Sequence, residues 1–360
     1  MADGGDVGRR AQVIGAGLIG GSIGAGLRAR GWKVAMADVD DSRSLRAVEI
    51  GSADRQGRDP EAEIVFVAVP PSSVAEVSLE ALEDFPEAAV TDVASVKRVV
   101  VEKVYGPKFV GGHPMAGSEQ DGVDGSDPDM FVGATWVLTP EPDTDPVAFA
   151  TVRSVVSGLG ANVVELESWR HDQLVALVSH VPHLTAATLM NLAAVTADEN
   201  ATLLRLAAGG FRDMTRIAAG GSAIWPDICT ENRDAILEVL DRLQGSLAQV
   251  RQVVETGDRS ALIDLLDSAR SARVNLPGRV AQPESAVEVR VVVTDRPGVL
   301  AGVTTLLGEM GVNIWDLEIA HSVEGDRGVL VMVIDSLSTD AVRHALGSRG
   351  FQCSIRPVGA

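Results

Sequence analysis

The residues best suited to chemistry in this sequence are one histidine set among small residues and two later clusters of histidine and arginine. His113 lies in KFVGGHPMAGSE, residues 108–119, between two glycines and a proline. No regular helix begins there, so the imidazole is expected at the carboxyl end of a short buried strand, 108–112. Open α/β sheets hold ligands in the crevice outside those ends. An imidazole in that crevice can take a proton near neutral pH. Taken singly, such a histidine is more often a hydrogen-bonded loop residue, and its companions decide.

Ser95 and Lys97 belong to TDVASVK, residues 91–97, which closes the apolar strand 89–93 at the same sheet edge. Ser95 reads as the N-cap of a helix ending near Tyr105, or as a donor to substrate, and the two roles are compatible. In SHVPH, Ser179 and His183 stand four apart on one helical face, with His180 expected on another. Pro182 inside a helix costs roughly 3 kcal/mol, which marks a kink; the polar groups around it could equally serve the carbonyls it frees. In FRDMTRI, Arg212 and Arg216 are one turn apart with Asp213 between them. A guanidinium offers a rigid fork that fits a carboxylate. Arg212 reads as a surface residue, whereas Arg216, flanked by Met214, Ile217 and Ala218, is expected to be less free to face water.

The elements that must position these groups start with a dinucleotide pattern. The strand 11–14 runs into Gly15-Ala16-Gly17-Leu18-Ile19-Gly20 and then a helix closing at Gly31. Gly15 permits the tight turn, Gly17 lets backbone approach a pyrophosphate, and Gly20 allows close helix packing. The helix start, with Leu18 and Ile19, offers N–H groups to phosphate. A second strand, 33–37, ends at Asp38, close to the ~20-residue spacing at which a carboxylate meets the adenosine ribose. That carboxylate would repel a 2′-phosphate and selects NAD over NADP, with Arg43 the residue that argues the other way. The run 63–69 ends at Pro70-Pro71, a further strand end facing the cofactor. Alternating strands and helices imply a parallel sheet with right-handed crossovers.

From Ser168 the chain is expected to be helical to about Arg273, with Trp225-Pro226 interrupting before a long amphipathic run, 228–266. Such a face suits a second copy, so a homodimer is expected. Residues 275–285, NLPGRVAQPES, read as a linker. Beyond it come a strand (286–293), a helix (299–309), a strand (312–321), a turn (324–328), a strand (329–334), a helix (339–348) and a strand (351–356), the ferredoxin-like βαββαβ order. Gly298, in DRPGVL, opens a helix where backbone can close on an amino acid, although a purely structural or dimerising module fits as well. The fold class is therefore α/β: a Rossmann-type doubly wound domain (1–167), an all-helical middle domain (168–274), the linker (275–285) and a ferredoxin-like module (286–360).

The 360 residues are 46% hydrophobic and 22% charged, enough to bury a core in two or three domains. A net charge of −19 argues against nucleic acid and anionic membranes. It also requires any anionic substrate to be met by a local cationic cluster. Two widely spaced cysteines, Cys229 and Cys353, a short polar start and no membrane-length apolar run fit a cytoplasmic protein.

Six segments in order, VIGAGLIGGS, TDVASVK, GGHPMAGSE, SHVPH, FRDMTRIA and DRPGVL, resemble the prephenate dehydrogenase family of tyrosine biosynthesis over essentially the whole length. The tail resembles an ACT domain. The resemblance implies NAD-dependent oxidative decarboxylation of prephenate to 4-hydroxyphenylpyruvate. It implies His113 as acceptor for the substrate hydroxyl, Ser95 orienting that hydroxyl, and Arg216 gripping a carboxylate beside Ser179 and His183. Glu119, Asp213 and Trp225 would form a polar network at the entrance. Asp295, Gly298, Leu300, Asn313 and Ile314 would serve an amino-acid effector such as tyrosine, and no metal is implied. Arogenate, differing by one amino group, is the alternative substrate. A metal-dependent hydrolase using His113, His180 and His183 is disfavoured by Pro182 and by the lack of carboxylate ligands at helical spacing. A non-catalytic sensor of NAD and an amino acid is disfavoured by His113, Ser95 and Arg216 occurring together.

Overall fold

Aliphatic and β-branched runs broken by glycine turns dictate the first part of the structure. The computed structural model describes residues 8–117, 120–199, 209–274, 286–294, 296–321 and 327–357. These fall into two compact units, within residues 1–192 plus 215–244 and within 193–214 plus 245–360.

In the first unit the described residues form an eight-stranded sheet. Its strands are β1 (Arg10–Ile14), β2 (Lys33–Ala37), β3 (Arg55–Gln56), β4 (Ile64–Val67), β5 (Ala89–Asp92), β6 (Phe109–Pro114), β7 (Thr135–Thr139) and β8 (Asn162–Glu165), in the order β3-β2-β1-β4-β5-β6-β7-β8. The crossover helices are α1 (Leu18–Ala29), α2 (Asp41–Glu49), α3 (Pro71–Asp84), α4 (Arg98–Lys103) and α5 (Pro146–Gly158). Because helices cover both faces, strand residues are buried on both sides. Ile64 and Phe66 pack into one core with Ile23, Leu27 and Trp136, while Val65 and Val67 join Val74, Ala81 and Val90 in the other. Each such fully buried side chain contributes roughly 1.5–3 kcal/mol.

The doubly wound class is borne out, and one local expectation is corrected. The sheet is not wholly parallel: β6 pairs antiparallel with β7, His113 opposite Val137 and Pro114 opposite Trp136. The described part of the intervening chain contains only the short helical turn Val123–Gly125, so the strand returns without a crossover helix. His113 is consequently a strand residue rather than a loop residue.

Helix α6 (Ser168–Val175) continues through a π turn, Ala176–His180, into α7 (Val181–Glu199). Pro182 lies in the first turn of α7, where a missing N–H is cheapest, and the widened turn before it absorbs the irregularity. The long run 228–266 is not one helix. It is divided into Trp225–Glu231, Arg233–Thr256 and Arg259–Val274. The second break falls at Gly257, whose φ of +65° suits glycine, and Asp258, which accepts from Ala261 N at 3.0 Å and so caps the next helix. Among the described residues no helix is long and apolar enough to cross a membrane.

In the second unit, β9 (Ala286–Thr294), β10 (Asp316–His321), β11 (Arg327–Asp335) and β12 (Gln352–Pro357) form an antiparallel sheet in the order β10-β11-β9-β12. Helices Val299–Glu309 and Thr339–Ser348 join Val303, Leu307, Val342 and Leu346 to Val289, Val291, Leu330, Met332 and Ile334. This is the expected ferredoxin-like sheet, except that β10 begins at Asp316 rather than near Val312. The expected linker 275–285 and most of the expected turn 324–328 lie outside the described residues.

Candidate active site

The glycine loop is shaped by steric necessity. Gly15 has φ +106°, and a Cβ there would lie 2.2 Å from Ala68 O. A Cβ on Gly20 would lie 2.0 Å from Gly15 O, whereas one on Gly17 would meet nothing within 4 Å. The turn and the helix contact therefore each demand a glycine, and the open side of Gly17 admits a ligand to the backbone. Helix α1 has no acidic residue in its first turn and no side-chain N-cap bond, leaving its positive end suited to phosphate. Asp38 follows β2 and braces the loop, accepting from Ala16 N at 2.7 Å and Asp40 N at 2.9 Å. Arg43 is engaged by Asp40 at 3.6 Å. Pro70 sits at the N-cap of α3 with Pro71 following it. The loop thus fits a dinucleotide, and the carboxylate fits a ribose better than a 2′-phosphate.

At the carboxyl ends of the neighbouring strands lies a buried polar shell. His113, 8% exposed, places Nδ1 at 2.8 Å from Nε2 of His171, which is fully buried on α6. His171 Nδ1 lies 2.8 Å from Asp172 Oδ1. The Asp172 carboxylate also accepts from Lys97 N at 2.8 Å and Arg98 N at 2.9 Å, so it caps α4. Asp92, at the end of β5, accepts from Gly112 N at 3.0 Å and Ala94 N at 2.9 Å, and pairs with the buried Lys97 ammonium. Burial pushes the Lys97 ammonium down from its ordinary value, opposed by Asp92 and Asp172. Burial pushes the His113 imidazole well below the ordinary histidine range, helped by nearby His171, Lys97 and His180, so the ring is neutral at pH 7.

A second wall is built around Trp225. His183 stacks on its ring at 3.8 Å and 21°, and His180 meets it edge-on at 6.1 Å. His180 and His183 therefore converge on one indole, which corrects the expectation that His180 faces elsewhere: residues three apart on a helix are neighbours. Asn232 Nδ2 donates to Asp172 O at 2.9 Å and lies 3.2 Å from His180 Nδ1. Burial lowers His180 to about 4. Arg216 opens the turn Arg216–Ala219, and a Cβ on Gly220 just after it would stand 3.7 Å from His183 Cε1. Ser179 lies half-buried in the π turn.

Several expectations change at this level. Ser95 is half-buried in the bend before α4 but is not its N-cap, a position held by Lys97. Arg216 is exposed, as is its neighbour Met214 at the end of the preceding helix. Asp213 is exposed on the helix Gly209–Thr215 and belongs to the second unit. Glu119 and Asp295 lie outside the described residues. In the C-terminal sheet, Gly298 caps its helix at φ +87° with nothing within 4 Å of a Cβ; Leu300 and Asn313 are exposed, and Ile314 packs on the core. The sequence reading passed over His171, Asp172, Asp92 and Asn232. For the first two a signal existed, since the buried positions Ser168, His171, Asp172 and Val175 follow the helical period and put a His-Asp pair on the inner face.

Comparison with known proteins accords with this fold. Family models for the prephenate dehydrogenase nucleotide-binding domain, the prephenate dehydrogenase dimerization domain and the ACT domain match residues 23–165, 167–268 and 287–348. The prephenate dehydrogenase of Bacillus subtilis is 33% identical over 337 residues, 88% of this chain and 90% of its own length. A crystal structure of Synechocystis arogenate dehydrogenase is similar at a TM-score of 0.65 and 33% identity, over 73% of this chain and 98% of that one. The prephenate dehydrogenase of A. aeolicus, solved with hydroxyphenyl propionate and NAD+, aligns at a TM-score of 0.69 and 27% identity, over 75% and 98%.

Proposed function

The chain belongs to the prephenate dehydrogenase family, and from that premise we propose that it oxidises prephenate to 4-hydroxyphenylpyruvate and CO2 with NAD+. The observation that carries this reading is the neutral, buried imidazole of His113, held at the strand ends of the same sheet that carries the glycine loop. Gly15, Gly17, Gly20 and the start of α1 at Leu18 and Ile19 would cradle the pyrophosphate, Asp38 would meet the ribose, and Pro70 would line the cofactor cleft. NAD+ supplies the hydride acceptor.

The chain's own residues do the rest. His113 takes the proton of the ring hydroxyl as its carbon becomes a ketone, and Ser95 orients that hydroxyl. Loss of the ring carboxylate as CO2 makes the ring aromatic, and the proton returns to the same oxygen, now phenolic. Atoms balance without a metal. Arg216 would bind a carboxylate, with Ser179, His183 and Trp225 lining the site. A neutral base and a guanidinium are what a dianion needs in a protein of net charge −19. Arogenate is the second reading, favoured by the likeness to the Synechocystis arogenate dehydrogenase.

The reading extends to a domain division at 1–167, 168–274 and 286–360, to a homodimer and to cytoplasmic location. Exposed Val195, Leu247, Val254, Ile263 and Leu266 and the match to a dimerization-domain model support the dimer. The half-buried, unpaired thiols of Cys229 and Cys353 suit a reducing compartment. The C-terminal module would take an amino acid such as tyrosine around Asp295, Gly298, Leu300, Asn313 and Ile314. NADH formation, followed by absorbance with prephenate and arogenate side by side, tests the main reading. Faster turnover of prephenate is expected; faster turnover of arogenate reverses the assignment, and absence of both overturns it.

A further inference from the structure

The buried shell behind His113 does more than fill space, because with one proton on each imidazole its hydrogen-bond chain has a single consistent direction. The Asp172 carboxylate is acceptor-only and is already aligned by the backbone N–H groups of Lys97 and Arg98. His171 Nδ1 must therefore carry the proton in the 2.8 Å bond to Asp172. With that single proton on His171 its Nε2 is bare, so the 2.8 Å bond to His113 runs from His113 Nδ1 as donor. What remains on His113 is an unprotonated Nε2. Asn232 closes the shell: its Nδ2 donates to Asp172 O, so His180 Nδ1 accepts and the His180 proton sits on Nε2.

We propose that His171 and Asp172 are positioning residues that hold His113 in the Nδ1-protonated tautomer, leaving Nε2 as the acceptor for the substrate hydroxyl. This rests on the proposed role of His113. When Nε2 takes the hydroxyl proton, the imidazolium that forms is stabilised through His171 by the Asp172 carboxylate, and the proton later returns from Nε2 to the phenolic oxygen. The other groups facing His113 are His180 from the π turn and Lys97 from the segment before α4, the latter tied to Asp92. Neither forms the bond that sets the tautomer.

Three variants of the full chain, His113→Asn, His171→Leu and His171→Gln, measured with prephenate and NAD+, separate the possibilities. His171→Leu removes the acceptor for His113 Nδ1, so kcat should fall by roughly 10²-fold while KM stays within about threefold. His171→Gln can accept through Oε1 and should recover about tenfold over the leucine variant. Parent-like kcat in His171→Leu, or equal losses in the two His171 variants, overturns the positioning role. Parent-like turnover in His113→Asn overturns the reading of His113 itself, and the relay with it; loss in His113→Asn with none in His171→Leu overturns the relay alone. Nitrogen-15 NMR of the histidine-labelled parent needs no variant to fold. It should show His113 and His171 protonated on Nδ1, and a His113 proton on Nε2 overturns the proposal.

Discussion

The nucleotide-sheet unit and the C-terminal sheet bury different kinds of side chain. Asp92, Lys97, His113, His171, Asp172, His180 and Asn232 are all nearly inaccessible in the first, whereas the described core of the second is aliphatic throughout, from Val289 to Leu346. Buried ionisable groups are costly unless paired and hydrogen-bonded, so a fold that keeps them uses their chemistry. An aliphatic core gives stability and a platform. The first region accordingly concentrates the buried titratable groups and the second does not.

The most severe way to break this contrast is Lys97→Met. It strands the Asp92 carboxylate in a dry site and should cost about 3–5 kcal/mol of stability, read by denaturant unfolding, where an aliphatic swap in the C-terminal core would cost less than about 1.5 kcal/mol. Next comes His113→Asn, which should lower kcat by about 10²-fold or more with NAD+ affinity nearly unchanged. Arg216→Ala should raise KM by roughly tenfold or more, the worth of a charge-assisted bond, and an unchanged KM would remove Arg216 from the site.

Acidification sharpens the contrast further. His113 and His180 are held below the ordinary value of 6.5, His180 at about 4, so below pH 6.5 the unfolded chain binds protons that the folded chain refuses. Stability linked to these groups is fully present above pH 6.5 and is lost as pH falls below it, for His180 by about 1.4 kcal/mol per pH unit down to about 4. Thermal unfolding across that range should track the loss, and a flat profile would contradict the burial. The smallest effect is expected at Asp38→Ser, which should relax discrimination against NADP by roughly tenfold in kcat/KM.

Much of this was legible beforehand where function depends on neighbours in sequence. Gly15, Gly17, Gly20 and Asp38 sit within one strand-turn-helix-strand unit, so spacing alone implies their geometry. The βαββαβ order of the tail follows from alternating periodicities in the same way. The shell behind His113 is different, since His113 and His171 come from β6 and α6, and Asp172 closes on the backbone ahead of α4. No local pattern connects them. Arg216 shows the opposite failure, because apolar neighbours suggested burial and the turn Arg216–Ala219 turned it outward.

By itself, then, the sequence determined the two sheet classes and the cofactor loop, because each depends on short-range sterics and periodicity. Tertiary structure alone decided the antiparallel return of β7, the meeting of His180 and His183 on Trp225, and the hydrogen-bond chain from Asp172 to His113. The physical reason is that a tautomer is set by whichever donor or acceptor packing brings to the far side of the ring. That partner, His171, lies on α6, far from β6 in sequence.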